Sequence, residues 1–255
     1  MDFLKLRQIF HRVNSIFSKL VYNINMNKRY FELDLLRGVA VILMVFFHFG
    51  YDLAMFGYTT YETTVDIEWI IFRGIILSMF LLGVGMSSYL AYTDGINWKK
   101  VWKQTAKLTA VSVVISIGSY FIFPDQWIYF GVIHFITIAS LVSLAFLHRP
   151  TLSLILGIGI IASYIMGYFH LDPMLSYSVE HFYIPRYTVD VVSFTPWFGV
   201  VLIGIFLMHK KLFGIAIKEN RTGRRVAFLG RHSLIIYLLH QPILFGVFTM
   251  LKLIR

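Results

Sequence analysis

The 255-residue chain has no cysteine. That one absence excludes disulfide staples, thiolate nucleophiles and cysteine-ligated zinc. Charge is also scarce: Asp, Glu, Lys and Arg make up 14% of the residues, against about 25% in soluble domains. The Gly-rich phosphate-cradling loop of nucleotide-binding proteins is missing, as is the GxSxG elbow of serine hydrolases. Histidines at HxxxH spacing and acidic clusters within apolar stretches are lacking too, so no metal is expected. There is no internal repeat and no low-complexity segment.

What the chain has is apolar residues, 58% of the total, and a mean hydropathy of +0.71. This composition predicts an all-α, polytopic transmembrane helix bundle forming one membrane domain over residues 31–255. About seven crossings are expected: Leu35–Met55, Glu68–Tyr92, Thr105–Phe123, Ile128–Leu147, Thr151–Phe169, Pro196–His209 and Ser233–Met250. The sixth is short for a crossing.

The net charge of +10 could suit nucleic acid, but the distribution of basic residues argues for a lipid bilayer as the partner. Eighteen of the 23 basic residues fall before the first span or in the second-to-third, fourth-to-fifth and sixth-to-seventh connections. Arg186, Lys252 and Arg255 lie on the other side, and Arg37 and Arg73 lie within spans. By the positive-inside rule the N-terminus is cytoplasmic and the C-terminus outside, in a cell inner membrane. Residues 1–30 lack a signal-peptide cleavage site. Their apolar residues recur at helical spacing with Lys5, Arg12 and Lys19 between them, as in an amphipathic helix on the cytoplasmic face. A start at Met26 is the alternative.

The residues from Arg37 to Asp52 carry the strongest functional signal. Arg37, His48 and Asp52 interrupt an apolar run. At 100° per residue His48 lies about 20° and Asp52 about 60° from Arg37, so the three share a helix face. Ionisable groups cost roughly 2.5 kcal/mol or more inside a bilayer and mark interior or wet surfaces. Asp52, one turn beyond His48, is placed to hold that histidine as a general base. Arg37, near the inner end, has a plainer reading: snorkelling to the headgroups, or pairing with Asp34.

Arg73 in the second span and His134 in the fourth are expected at the depth of His48, about 7–10 Å below the outer surface. His240 is expected nearer the midplane. Arg73 needs a partner at that depth, and Asp52 and Glu68 are the candidates. Ser87 and Ser88, after Gly83 and Gly85, suit close helix packing. Lys99–Lys107 is chiefly a topology signal, with contact to a phosphorylated donor as the second reading. The connection Phe169–Thr195, with Asp172, Glu180, His181, Arg186 and Asp190, is long enough to be a lid or acceptor surface.

Several segments resemble one family. Phe31-Glu-Leu-Asp-Leu-Leu-Arg-Gly38 with Met44–Asp52 resembles the opening of the heparan-alpha-glucosaminide N-acetyltransferase catalytic-domain family, in its bacterial branch. Tyr129–Phe135 resembles its FGxxH segment, Thr195–Gly199 its PWFG segment and Gly230–Pro242 its closing segment. The Arg37-x10-His48 spacing is also similar to that of wider membrane acyltransferases acting on cell-surface sugars. The resemblance implies transfer of an acetyl or other acyl group from cytoplasmic acetyl-CoA (or another acyl-CoA) to an extracytoplasmic amine or hydroxyl of a glycan or glycolipid. His48 matches the catalytic histidine and Arg37 the donor-side arginine. On this reading Asp52, Arg73 and His134 complete the catalytic set, the last two as oxyanion stabilisers, and His240 joins Arg37 on the donor side. A homo-oligomer is compatible with these features. A transporter or flippase using the same buried charges, and a non-catalytic scaffold, are the alternatives.

Overall fold

The structure is a computed structural model, and it describes residues 30–168, 184–185, 188–212 and 219–254. Among the described residues eight α-helices follow one another: α1 (Phe31–Met55), α2 (Ile67–Tyr92), α3 (Trp98–Ile122), α4 (Val132–Ser143), α5 (Pro150–Ile165), α6 (Phe194–His209), α7 (Arg221–Arg231) and α8 (Ser233–Ile254). A 3-10 turn, Leu144–Phe146, extends α4. The N-terminal segment and most of the Phe169–Thr195 connection lie outside the described residues.

The helix limits have local causes. Glu32 and Asp34 lie in the first turn of α1, where carboxylates meet the positive end of the helix dipole. Asn97 accepts the Lys100 backbone N–H at 3.1 Å and caps α3. Pro150 opens α5 at a position where its missing N–H costs nothing. In α6, Thr195 is extended, so regular helix starts at Pro196, where the sequence places it.

Four helices, α1, α2, α3 and α8, are long and apolar enough to cross a membrane, and α4, α5 and α6 are shorter apolar helices. Together they make a bundle of about seven spans. At 1.5 Å per residue the 16 residues of α5 or α6 cover about 24 Å, a little less than a hydrocarbon core. Helix α6 is the hub. It packs on α2 and α5, while α1 packs on α2, α7 and α8, and α3 packs on α4. The core gathers Leu77 and Leu81, Phe135 and Ala139, and Phe198, Val201, Leu202 and Ile205. Outward-facing Val113, Val114, Ile117 and Phe121 of α3 are exposed, as expected of a lipid-facing surface.

Helices approach closely where glycines face each other. Gly157 of α5 meets the Gly199 carbonyl of α6, and Gly230 of α7 meets the Gly38 backbone of α1; a Cβ would collide at each. The second pair belongs to a helix that the charge pattern presents as a loop. α7 is strongly amphipathic: Ala227 and Gly230 are buried, while Arg221, Arg224, Arg225 and Arg231 are exposed. It lies beside the first turns of α1, with Gly223 near Phe31 and Val226 against Gly38.

This placement resets the level of α8. Because α7 occupies the space beside the start of α1, α8 runs beside the later half of α1. Gln241 contacts Asp52, and Phe248 packs on Phe49 and Phe56. His240 is therefore level with His48 and not at a separate depth.

Candidate active site

The α1 stripe divides between two neighbours. Arg37 faces α2, donates to Ser87 Oγ and pairs with Asp34 at 3.6 Å. Ser87 in turn donates to the Gly83 carbonyl. The expected Asp34 pair forms, and the guanidinium also turns toward Ser87 of α2. It borders a cavity of about 620 Å3 between α2, α3 and α4, lined also by Ser87, Ser88, Lys100, Lys103 and Lys107. The three lysines recur at i, i+3 and i+7, so α3 presents them on one face. Lys100 stands in the first turn of α3, which has no acidic residue, so its charge adds to the positive helix end and attracts an anion.

His48 and Asp52 face α8. The His48 and His240 ring centroids are 4.6 Å apart, with an interplanar angle of 66°. Phe47 and Tyr51 complete an aromatic wall around His48. Asp52 is fully buried. It does not bond to His48: Gln241 Nε2 donates to Asp52 Oδ1 at 2.8 Å. The expected histidine–carboxylate hydrogen bond is replaced because α8 delivers a neutral amide donor to the carboxylate. Asp52 Oδ2 and His48 Nδ1 are buried and have no hydrogen-bond partner among the described residues. Pro242, next to Gln241, removes the N–H that would pair with the Leu238 carbonyl, so the backbone of α8 is interrupted at this level.

Arg73 has a different partner from those expected. Its guanidinium donates to the Val191 carbonyl at 3.0 Å and to Asp190 Oδ1 at 3.4 Å, not to Asp52 or Glu68. Asp190 also accepts from the Val132 N–H at 3.1 Å and the Tyr237 hydroxyl at 3.4 Å. One carboxylate thereby ties α2, the start of α4 and α8 together.

His134 is a cap. Its Nδ1 accepts the Gly131 N–H at 3.2 Å, which leaves the proton on Nε2. Nε2 then donates to Ser116 Oγ at 3.1 Å, and that hydroxyl donates to the Ile128 carbonyl. With both ring nitrogens engaged, His134 holds the turn before α4 and has no free donor for an oxyanion.

Arg37 thus stands toward the start of α1, and His48, Asp52 and His240 gather toward its end. Arg37 and His48 are eleven positions apart, about 16 Å along the axis. Sequence reasoning missed Gln241 and the hub role of Asp190. The signal for Asp190 was an unpaired arginine within a span, together with an acidic residue just before the PWFG segment. Neither a curated protein nor a solved structure matches the chain. The sequence model of one family, described as heparan-alpha-glucosaminide N-acetyltransferase, catalytic, matches residues 29–242. With nearly the whole membrane bundle inside that match, the chain belongs to this family of transmembrane acetyltransferases.

Proposed function

We propose that the protein moves an acetyl group from acetyl-CoA, held at the basic end of the bundle, to an amine or hydroxyl of a sugar at the opposite end. The observation that carries this reading is the cavity beside Arg37. Among the described residues four cationic side chains border it and no acidic one does. Phosphate groups are the natural complement of such a lining. Acetyl-CoA carries phosphates at one end and its thioester at the end of a long flexible arm. Arg37 and the lysines hold the phosphates, and the arm follows α1 toward His48.

His48 then removes the acceptor's proton, or carries the acyl group briefly itself. Asp52, one turn away with a bare buried oxygen, stabilises the imidazolium. Arg73 supplies positive charge toward the developing oxyanion. The basic end faces the cytoplasm of a cell with an inner membrane, so donor and acceptor come from opposite sides.

The family description names a glucosaminide amine, so glucosamine is the first acceptor to try. Proteoliposomes are given radiolabelled acetyl-CoA with glucosamine or a cell-envelope extract. The expected result is acceptor-dependent loss of thioester and a labelled acetylated product. Label that crosses the membrane with its thioester intact would replace this reading with transport.

A further inference from the structure

Two imidazoles meet between α1 and α8, and their hydrogen bonds set the state of one of them. His240 Nδ1 lies 2.7 Å from the Tyr237 carbonyl oxygen. A carbonyl oxygen only accepts, so Nδ1 carries the proton and the lone pair of neutral His240 is on Nε2. Nε2 is the ring nitrogen not engaged with its own helix. It is buried without a hydrogen-bond partner among the described residues, as is Nδ1 of His48. Buried polar atoms are normally paired, and these two ring nitrogens are not, although their rings lie 4.6 Å apart beside a buried carboxylate.

We propose that His240 is the proton-relay partner of His48, a role that rests on the acyltransferase reading above. The acceptor's lone pair attacks the acyl carbonyl carbon, and a C–N or C–O bond forms. The acceptor's proton goes to His48. His48 releases the proton of its other nitrogen to Nε2 of His240. The thioester C–S bond breaks with its electron pair on sulfur, and His240 hands its proton to that thiolate. One proton leaves the acceptor and one reaches sulfur. Both rings end neutral, with His48 in its other tautomer, which proton exchange resets.

The second ring gives the departing sulfur a proton donor of its own while His48 holds the acceptor's proton. Two buried imidazoles this close hold one positive charge between them, not two, because like charges repel strongly there. Asp52 balances that single charge. Tyr237 is a positioning residue: its carbonyl fixes the His240 tautomer, and its hydroxyl on Asp190 anchors it.

The test uses full-length protein in proteoliposomes with acetyl-CoA and glucosamine. His240→Asn keeps a donor for the Tyr237 carbonyl and removes the far nitrogen, and His240→Ala leaves room for free imidazole. We expect kcat to fall about 100-fold or more in both variants. The KM for acetyl-CoA should stay within about twofold, and added imidazole should restore part of the His240→Ala rate. Near-normal turnover in His240→Asn overturns the relay. So does a slow His240→Ala that imidazole leaves unchanged. If wild-type protein transfers no acetyl group, the acyltransferase reading itself fails; an active wild type with an inactive His48→Ala and an active His240→Asn removes the relay alone.

Discussion

Gln241 donates to Asp52 at 2.8 Å across the α1–α8 contact, and the carboxylate next to His48 is held by a neutral amide. This contact gives Asp52 a structural tie as well as a chemical task, and isosteric substitution separates the two. Asp52→Asn removes the charge and keeps an oxygen for the Gln241 amide. We expect it to lower kcat about tenfold or more with the protein still folded. Gln241→Leu instead leaves a buried carboxylate without its donor and should cost about 1–3 kcal/mol of stability. Thermal unfolding in detergent, run beside the transfer assay, reads both. An Asp52→Asn protein with wild-type kcat would remove the charge from the mechanism.

His48→Ala should abolish acetyl transfer while the protein still inserts and elutes as wild type on size exclusion. The motive is the placement of His48, facing His240 across the α1–α8 contact. Turnover within about tenfold of wild type would place the chemistry elsewhere, since a positioned acid–base group contributes about 100-fold or more.

The cavity beside Arg37 predicts a split between the two substrates. Arg37→Lys keeps a charge and loses the planar fork that grips two oxygens at once. It should raise the KM for acetyl-CoA far more than the KM for the acceptor. Replacing Lys100, Lys103 and Lys107 together by Gln should do the same and weaken the salt dependence of donor binding. Small, equal changes in both KM values would return these residues to a topological role.

Asp190 should matter more to stability than Arg73. The ion pair is partly open to solvent, with the Arg73 side chain 45% exposed, and such pairs contribute little. Asp190 also holds the Val132 N–H and the Tyr237 hydroxyl. We therefore expect Asp190→Ala to lower the unfolding temperature by several degrees more than Arg73→Ala. A larger loss from Arg73→Ala would contradict this ranking.

The cysteine-free chain suits accessibility labelling. The charge asymmetry predicts that Cys introduced at Lys100 or Thr222 is shielded from an impermeant thiol reagent in intact cells. Cys at Thr64, in the exposed α1–α2 connection, should react. Equal labelling at all three positions would sink the proposed orientation.

Much of this architecture was legible in one dimension. Hydropathy and helical period are local properties, and they located the apolar helices among the described residues. They also put Arg37, His48 and Asp52 on one face, because α1 is an unbroken helix through all three. The partners of these groups were not legible. A polar group in a bundle takes whatever complementary group the packing brings near. Arg73 found Asp190, 117 positions away, and Asp52 found Gln241, 189 positions away. The level of His240 was equally hidden. It depends on α7, whose arginines look like loop charge until Ala227 and Gly230 are seen packed against α1. By itself the sequence determined which ionisable residues interrupt the apolar helices and which of them share a face of α1. Only tertiary packing decided which of them meet, because pairing inside a water-poor bundle depends on distances between helices that no local pattern encodes.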